Sequence, residues 1–104
     1  MGRVTANRRG LAAEFFQQRT LTVARALLGK RLCRQAGGRL TCATITETEA
    51  YCGPPDMASH ASRGKTARTA VMFGPPAHWY VYLVYGMHWC CNVVTGADGY
   101  PAAV

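Results

Sequence analysis

Trp79-Tyr80-Val81-Tyr82-Leu83-Val84-Tyr85-Gly86-Met87-His88-Trp89-Cys90-Cys91-Asn92-Val93-Val94 is the stretch that decides the fold. Two runs of aromatic and β-branched residues, Trp79 to Tyr85 and His88 to Val94, meet at Gly86-Met87. Such residues suit a pleated, half-buried surface, and a glycine between two such runs supplies a tight turn. The pattern predicts a β-hairpin with Tyr85 near its tip. Tyr80 and Tyr82 then share one strand face, and Tyr85 lies on the other. Downstream, Gly96 to Pro101 reads as a further turn and Ala102-Ala103-Val104 as the start of a third strand.

Upstream of the hairpin the chain changes character. Residues 52–70 carry Gly53, Pro54, Pro55, Ser59, Ser62 and Gly64 and read as a long irregular loop, closed by Gly74-Pro75-Pro76. Long loops in small domains are commonly functional or disordered. Before it, Arg39 to Tyr51 reads as a strand returning from Leu32-Cys33 through a Gly37-Gly38 turn. On that strand Ala43, Ile45, Glu47, Glu49 and Tyr51 share one face, and Thr44, Thr46 and Thr48 the other. Thr20 is the expected N-cap of a helix through Val23, Ala24, Ala26, Leu27 and Leu28, closed by Gly29. Leu11 to Gln18 is a second, shorter helix with Phe15 and Phe16 inward. Residues 1–10, with three arginines and two glycines, read as a flexible basic arm.

Composition bounds the function. The chain has 104 residues, 49% of them hydrophobic and 16% charged, which suits one small packed domain rather than a charge-rich disordered tail. Folded alone it would bury roughly 60–70% of its unfolded surface. No apolar run approaches the ~18–20 residues needed to cross a bilayer. The start, Met1-Gly2-Arg3-Val4, lacks the apolar region of a signal peptide, and Ala6 stands where a myristoylation pattern needs Ser or Thr. Twelve basic residues face five acidic ones, giving a net charge of +7. Ten of the twelve are arginines, which pair bidentately with phosphate. A solvated basic surface, a nucleic-acid footprint and a membrane-surface role are all consistent with that balance. The five cysteines, at 33, 42, 52, 90 and 91, form no CxxC pair. They read as reduced, mostly packed thiols of a cytosolic protein, without a structural zinc site.

Few residues are left to carry chemistry. Glu47 and Glu49 interrupt an apolar strand. Either they edge the solvent, or one carboxylate sits in a pocket and orients a water as a general base. Tyr51, Trp79, Tyr80, Tyr82, Tyr85 and Trp89 are either core or a stacking box for a nucleobase. A zinc-deaminase signature needs HxE followed by PCxxC, and His60-Ala61-Ser62 fails it. An amine nucleophile needs a desolvated lysine, and neither Lys30 nor Lys65 sits in an apolar setting. His78 and His88 have no stronger claim.

Taken together, these residues resemble a known family. Glu47-Thr48-Glu49-Ala50-Tyr51-Cys52-Gly53-Pro54, then Asp56, Ala58 and His60, then Met72-Phe73, then Tyr80 to Met87, then Cys90-Cys91-Asn92 is similar to the alkyladenine (3-methyladenine) DNA glycosylases. The ARALLG core of Leu21 to Gly29 resembles that family's first packed helix, so the likeness spans about residues 11–104. The resemblance implies a mixed α+β single domain with N-terminal helices and a curved, mainly antiparallel sheet carrying a protruding β-hairpin. It implies base-excision DNA repair: hydrolysis of the N-glycosidic bond of alkylated purines, with deaminated purines as further candidates, flipped out of duplex DNA. Glu49 corresponds to the general base. Tyr51, His60 and Tyr82 correspond to residues enclosing the flipped base, and Asn92 to a pocket asparagine that excludes unwanted purines. Tyr85 corresponds to the aromatic wedge, with Gly86, Met87, Arg63, Lys65 and Arg68 expected at the DNA. The family uses no metal, no cofactor and no lyase lysine. The partner implied is double-stranded DNA with a damaged purine, and the setting a monomer in the cytoplasm or on a bacterial nucleoid, away from membranes.

The family domain is longer than this chain. A pocket arginine, expected shortly beyond Val104, and the remaining strands and helices lie outside it, so the chain reads as the N-terminal portion of the domain. The competing readings are a catalytically incomplete basic module that only binds duplex DNA, and a basic structural or RNA-binding β-domain. Open strand edges and an incomplete core predict poor stability or aggregation for these 104 residues expressed alone. Circular dichroism and sedimentation are expected to show a broad thermal transition and association. A sharp transition of a monomer would contradict this.

Overall fold

A computed structural model describes residues 10–53, 65–67, 69–84 and 86–104. The order is α1 (Ala13–Phe16), α2 (Thr20–Leu27), β1 (Arg31–Ala36), β2 (Arg39–Thr44), a 3-10 turn (Ala70–Phe73), β3 (Trp79–Val84), β4 (His88–Thr95) and β5 (Ala102–Ala103). Two short helices and antiparallel strands make an α+β fold. The strands fall into two sheets, a β1–β2 ribbon and a β3–β4–β5 sheet. The expected arm over residues 1–10 lies outside the described residues except for the exposed Gly10.

The hairpin forms as its composition demands. β3 and β4 run antiparallel, with Tyr80 opposite Asn92 and Tyr82 opposite Cys90. Its far end stands clear of the body, where Met87 is 72% and Trp89 70% exposed. Its near end is the centre of the molecule. From Asn92 to Thr95, β4 is buried on both faces. Val94 packs with Met72, Tyr80 and Ala103 on one side. Val93 packs with Val23 and Leu27 of α2 on the other, flanked by Phe15, Phe16, Ile45 and Val104. Burying one valine or leucine fully stabilises by about 1.5–3 kcal/mol, so this pair of small clusters is the main cohesive force.

α2 presents Val23, Ala24 and Leu27 inward, as the helical spacing predicts. Its start differs from the expectation. Arg19 is the N-cap and Thr20 the first helical residue. The Thr20 hydroxyl does not cap its own helix; it lies 3.0 Å from the hydroxyl of buried Thr95 on β4. A tertiary partner outcompeted the local one. Gly29 ends the helix at φ 85°, a left-handed conformation that glycine adopts without a Cβ clash.

The returning strand is shorter than the alternation suggests. It pairs with β1 only to Thr44, around a Gly37-Gly38 turn with both φ values positive, as a primed hairpin turn requires. Residues 45–50 then leave the ribbon. Ile45 exchanges backbone hydrogen bonds with Gly29 and Lys30, and Tyr51 makes a bridge to Ala103 with hydrogen bonds of 2.8 and 3.0 Å. The cysteine expectation is corrected as well. The β1–β2 register sets Cys33 opposite Cys42, and the two form a disulfide. Cys52 and Cys91 are exposed thiols and Cys90 is half-buried, so the thiols are not mostly packed.

The Thr20–Thr95 contact generates a prediction for the full natural protein. Thr20→Val leaves the Thr95 hydroxyl buried and unpaired, and is expected to destabilise by about 1–3 kcal/mol. Thr20→Val with Thr95→Val should recover most of that loss. Urea denaturation of the single and double variants checks it.

Candidate active site

The bridge at Tyr51 matters because of what it carries. Ala103 is paired on its other edge with Val94 of β4, so the segment ending at Tyr51 becomes the next position across the sheet. Glu49 and Tyr51 are thereby brought beside Tyr82 of β3 and Cys90 and Asn92 of β4. All five line one open cavity of about 1140 Å³, together with Glu47. That space exceeds the few hundred Å³ of a small-molecule pocket and accommodates a purine ring.

The polar groups in it are ordered by one another. The Tyr51 hydroxyl donates to Glu49 Oε1 at 2.7 Å, the length of a strong charge-assisted bond. That bond is the main cause holding the Tyr51 phenol well above its ordinary value, with desolvation and the Glu49 charge adding to it. Tyr51 therefore stays a neutral donor throughout the physiological range. Glu49 is exposed and lines the cavity, accepting this bond at one carboxylate oxygen. Tyr82 is half-buried, and burial first, then Cys90, raises its phenol, while hydrogen bonding from Asn92 works the other way. Tyr80 and Tyr82 lie with ring centroids 5.1 Å apart, tilted by 37°. Asn92 is buried, and its Nδ2 donates to the Tyr80 carbonyl at 3.3 Å. An amide so held offers a fixed edge to anything entering the cavity.

The other expected site residues among those described do not line this cavity. Gly86 and Met87 form the exposed hairpin turn. Lys65 is exposed ahead of the 3-10 turn. His60, Arg63, Arg68 and Tyr85 lie outside the described residues. Three residues not singled out beforehand also bear on the site. Cys90 enters the cavity two positions from Asn92, a placement that strand alternation foretells. Thr48 donates its hydroxyl to the Ala24 carbonyl at 2.9 Å, for which the sequence has no local signal. Tyr100 donates to the Cys52 carbonyl at 3.0 Å, and its ring fills the space a Cβ on Gly53 would need. Gly53 also has φ 105°, so the loop leaves Tyr51 through a residue that must be glycine. Among the described residues no group of three or more His, Cys, Asp or Glu side chains stands together to hold a metal ion. No described helix is long and apolar enough to cross a membrane.

An acid, two tyrosines and an amide thus line one cavity, with the hairpin projecting from the same sheet. The family model for methylpurine-DNA glycosylase matches residues 14–104, and the chain belongs to that family. It is 57% identical over 94 residues to a protein of Methanocella arvoryzae named "Putative 3-methyladenine DNA glycosylase", covering 90% of this chain and 47% of that relative. Proteins of the same name from Anaeromyxobacter dehalogenans strain 2CP-C and Ehrlichia chaffeensis are 57% and 54% identical, each over 90% of this chain and over 45% and 50% of the relative. The chain thus spans about half the length of the curated relatives it matches.

The Tyr51–Glu49 bond predicts a pH signature in the full natural protein. A folded phenol raised above its unfolded value contributes stability that is fully present below about pH 10 and is lost as pH rises through the raised value. The ultraviolet titration difference between wild type and Tyr51→Phe should correspond to a tyrosine ionising well above the ordinary 10. A difference centred on 10 would contradict the bond.

Proposed function

We propose that this chain carries the catalytic carboxylate of a monofunctional DNA glycosylase that removes N-methylated purines from duplex DNA. The observation that supports this best is the pairing of Glu49 with Tyr51 on a tyrosine-lined cavity, in a chain of the methylpurine-DNA glycosylase family. A base cannot be attacked inside the duplex, so the nucleotide is rotated out into the cavity, at a cost of a few kcal/mol. Tyr51 and Tyr82 take the base between them, and His60 is the third residue assigned to contact it. An N-methylated purine is cationic and stacks well on a phenol face. Asn92 presents its amide to the ring edge and discriminates among purines. Deaminated purines are the more demanding substrates, being neutral.

The chemistry then needs little acid assistance. Water attacks the sugar C1′ while the bond from C1′ to the purine nitrogen breaks. The bonding pair leaves with the cationic purine, which departs neutral. Glu49 takes the proton from the attacking water and stabilises the positive charge building on the sugar. Tyr51 holds one carboxylate oxygen and leaves the other for that water. The basic residues, Lys65, Arg63 and Arg68 among them, grip phosphates. Tyr85, with the Gly86-Met87 turn that follows it in sequence, enters the minor groove and fills the vacated stack. Such an enzyme works on DNA as a monomer, in the cytoplasm or on the nucleoid.

A second reading has one observation in its favour. Glu49 is exposed and the cavity is open in a chain half as long as its relatives, so these 104 residues by themselves act as a basic duplex-DNA-binding module. A salt-sensitive gel shift without base release supports that reading for the isolated chain; release of free base from a methylated-purine duplex overturns it. In the full natural protein, Glu49→Gln is expected to retain binding and to lower single-turnover excision by roughly 10²–10⁴. Unchanged excision would remove Glu49 from the mechanism.

A further inference from the structure

Residues 46–50 have no strand partner, yet a general base must be held to within a fraction of an ångström. The backbone is fixed at both ends of the segment, by Ile45 on Gly29 and Lys30 and by Tyr51 on Ala103. Between those points, among the described residues, Thr48 ties the segment to the body of the protein, its Oγ1 donating to the carbonyl of Ala24 at 2.9 Å. Ala24 belongs to the last turn of α2, where carbonyls have no amide ahead of them to accept. Here the amide of Leu28 turns to Arg25 and that of Lys30 to Leu27, which leaves the Ala24 carbonyl to the threonine. Ala24 is buried and Thr48 half-buried, so water has restricted access to this bond. Thr48 and Glu49 are adjacent and their side chains diverge, one toward α2 and the other to the Tyr51 hydroxyl.

We infer that Thr48 is a positioning residue for Glu49, pegging the acid-bearing segment to the C-terminal turn of α2 so that the carboxylate stays aimed at the attacking water. It touches neither base nor sugar; it acts through the backbone it shares with Glu49. The inference rests on the glycosylase function proposed above. Displacing a catalytic group by about 1 Å costs on the order of 10²-fold in rate, while groove and phosphate contacts elsewhere are untouched.

The test uses the full natural protein and a duplex carrying one N-methylated purine. Thr48→Val, which keeps the shape and removes the hydroxyl, is expected to lower single-turnover excision by roughly 10–100-fold with lesion-DNA affinity within about threefold of wild type. Thr48→Ser, which restores a hydroxyl, is expected to return the rate to within about threefold. A Val variant with the wild-type rate overturns the inference. So does one that loses binding along with excision or fails to fold, because the bond is then only a stabilising contact. A Ser variant as slow as Val overturns it too. Wild type and Glu49→Gln run alongside separate the two claims: no excision by wild type, or wild-type excision by Glu49→Gln, sinks the glycosylase mechanism itself.

Discussion

Two hydrogen bonds between Tyr51 and Ala103 join the acid-bearing segment to the sheet, and the site exists because of them. Ala103 is fully buried and pairs on its other edge with Val94, itself fully buried. A fully buried strand pair therefore fixes the backbone of Tyr51. Tyr51 in turn holds one oxygen of Glu49. Two steps connect a buried apolar strand pair to an exposed carboxylate. In the mechanism proposed above, that arrangement reconciles two demands, since the acid meets water and an incoming base while staying in place.

The same logic explains the division of β4. Its inner half, Asn92 to Thr95, is buried on both faces and joins both core clusters. Its outer half runs into solvent as part of the projecting hairpin. Asn92 sits at the change between the two, buried enough to be held by the Tyr80 carbonyl and close enough to the cavity to line it. One strand thus serves as core, cavity wall and exposed hairpin arm, three parts distinguished by how deeply they lie.

Much of this was legible from local pattern. The hairpin followed from two β-rich runs around Gly86-Met87, and the grouping of Tyr80 with Tyr82 from alternation. The Gly37-Gly38 turn and the Gly29 helix end followed from glycine's freedom at positive φ. What was not legible came from partners distant in sequence. Thr20 looked like a cap because its intended partner, Thr95, is far along the chain. The β2 alternation ran on to Tyr51, but contacts with Gly29, Lys30 and Ala24 draw residues 45–50 away from the ribbon. The Cys33–Cys42 pairing depended on strand register rather than on a spacing motif. Glu49, Tyr51, Tyr82 and Asn92 were singled out by likeness to a family, and folding gathers them on one cavity. Thr48, in the middle of the same motif, was passed over because its role shows only when α2 is present.

If Glu49 is the base that activates water, excision must depend on its being unprotonated. The most direct measurement is the pH dependence of single-turnover excision of an N-methylated purine by the full natural protein, set against Glu49→Gln. The wild-type rate should fall toward acid as one proton is taken up, and the glutamine variant should be slow and lack that acid limb. A wild-type rate indifferent to acid, or the same limb surviving in the variant, would contradict the assignment of Glu49.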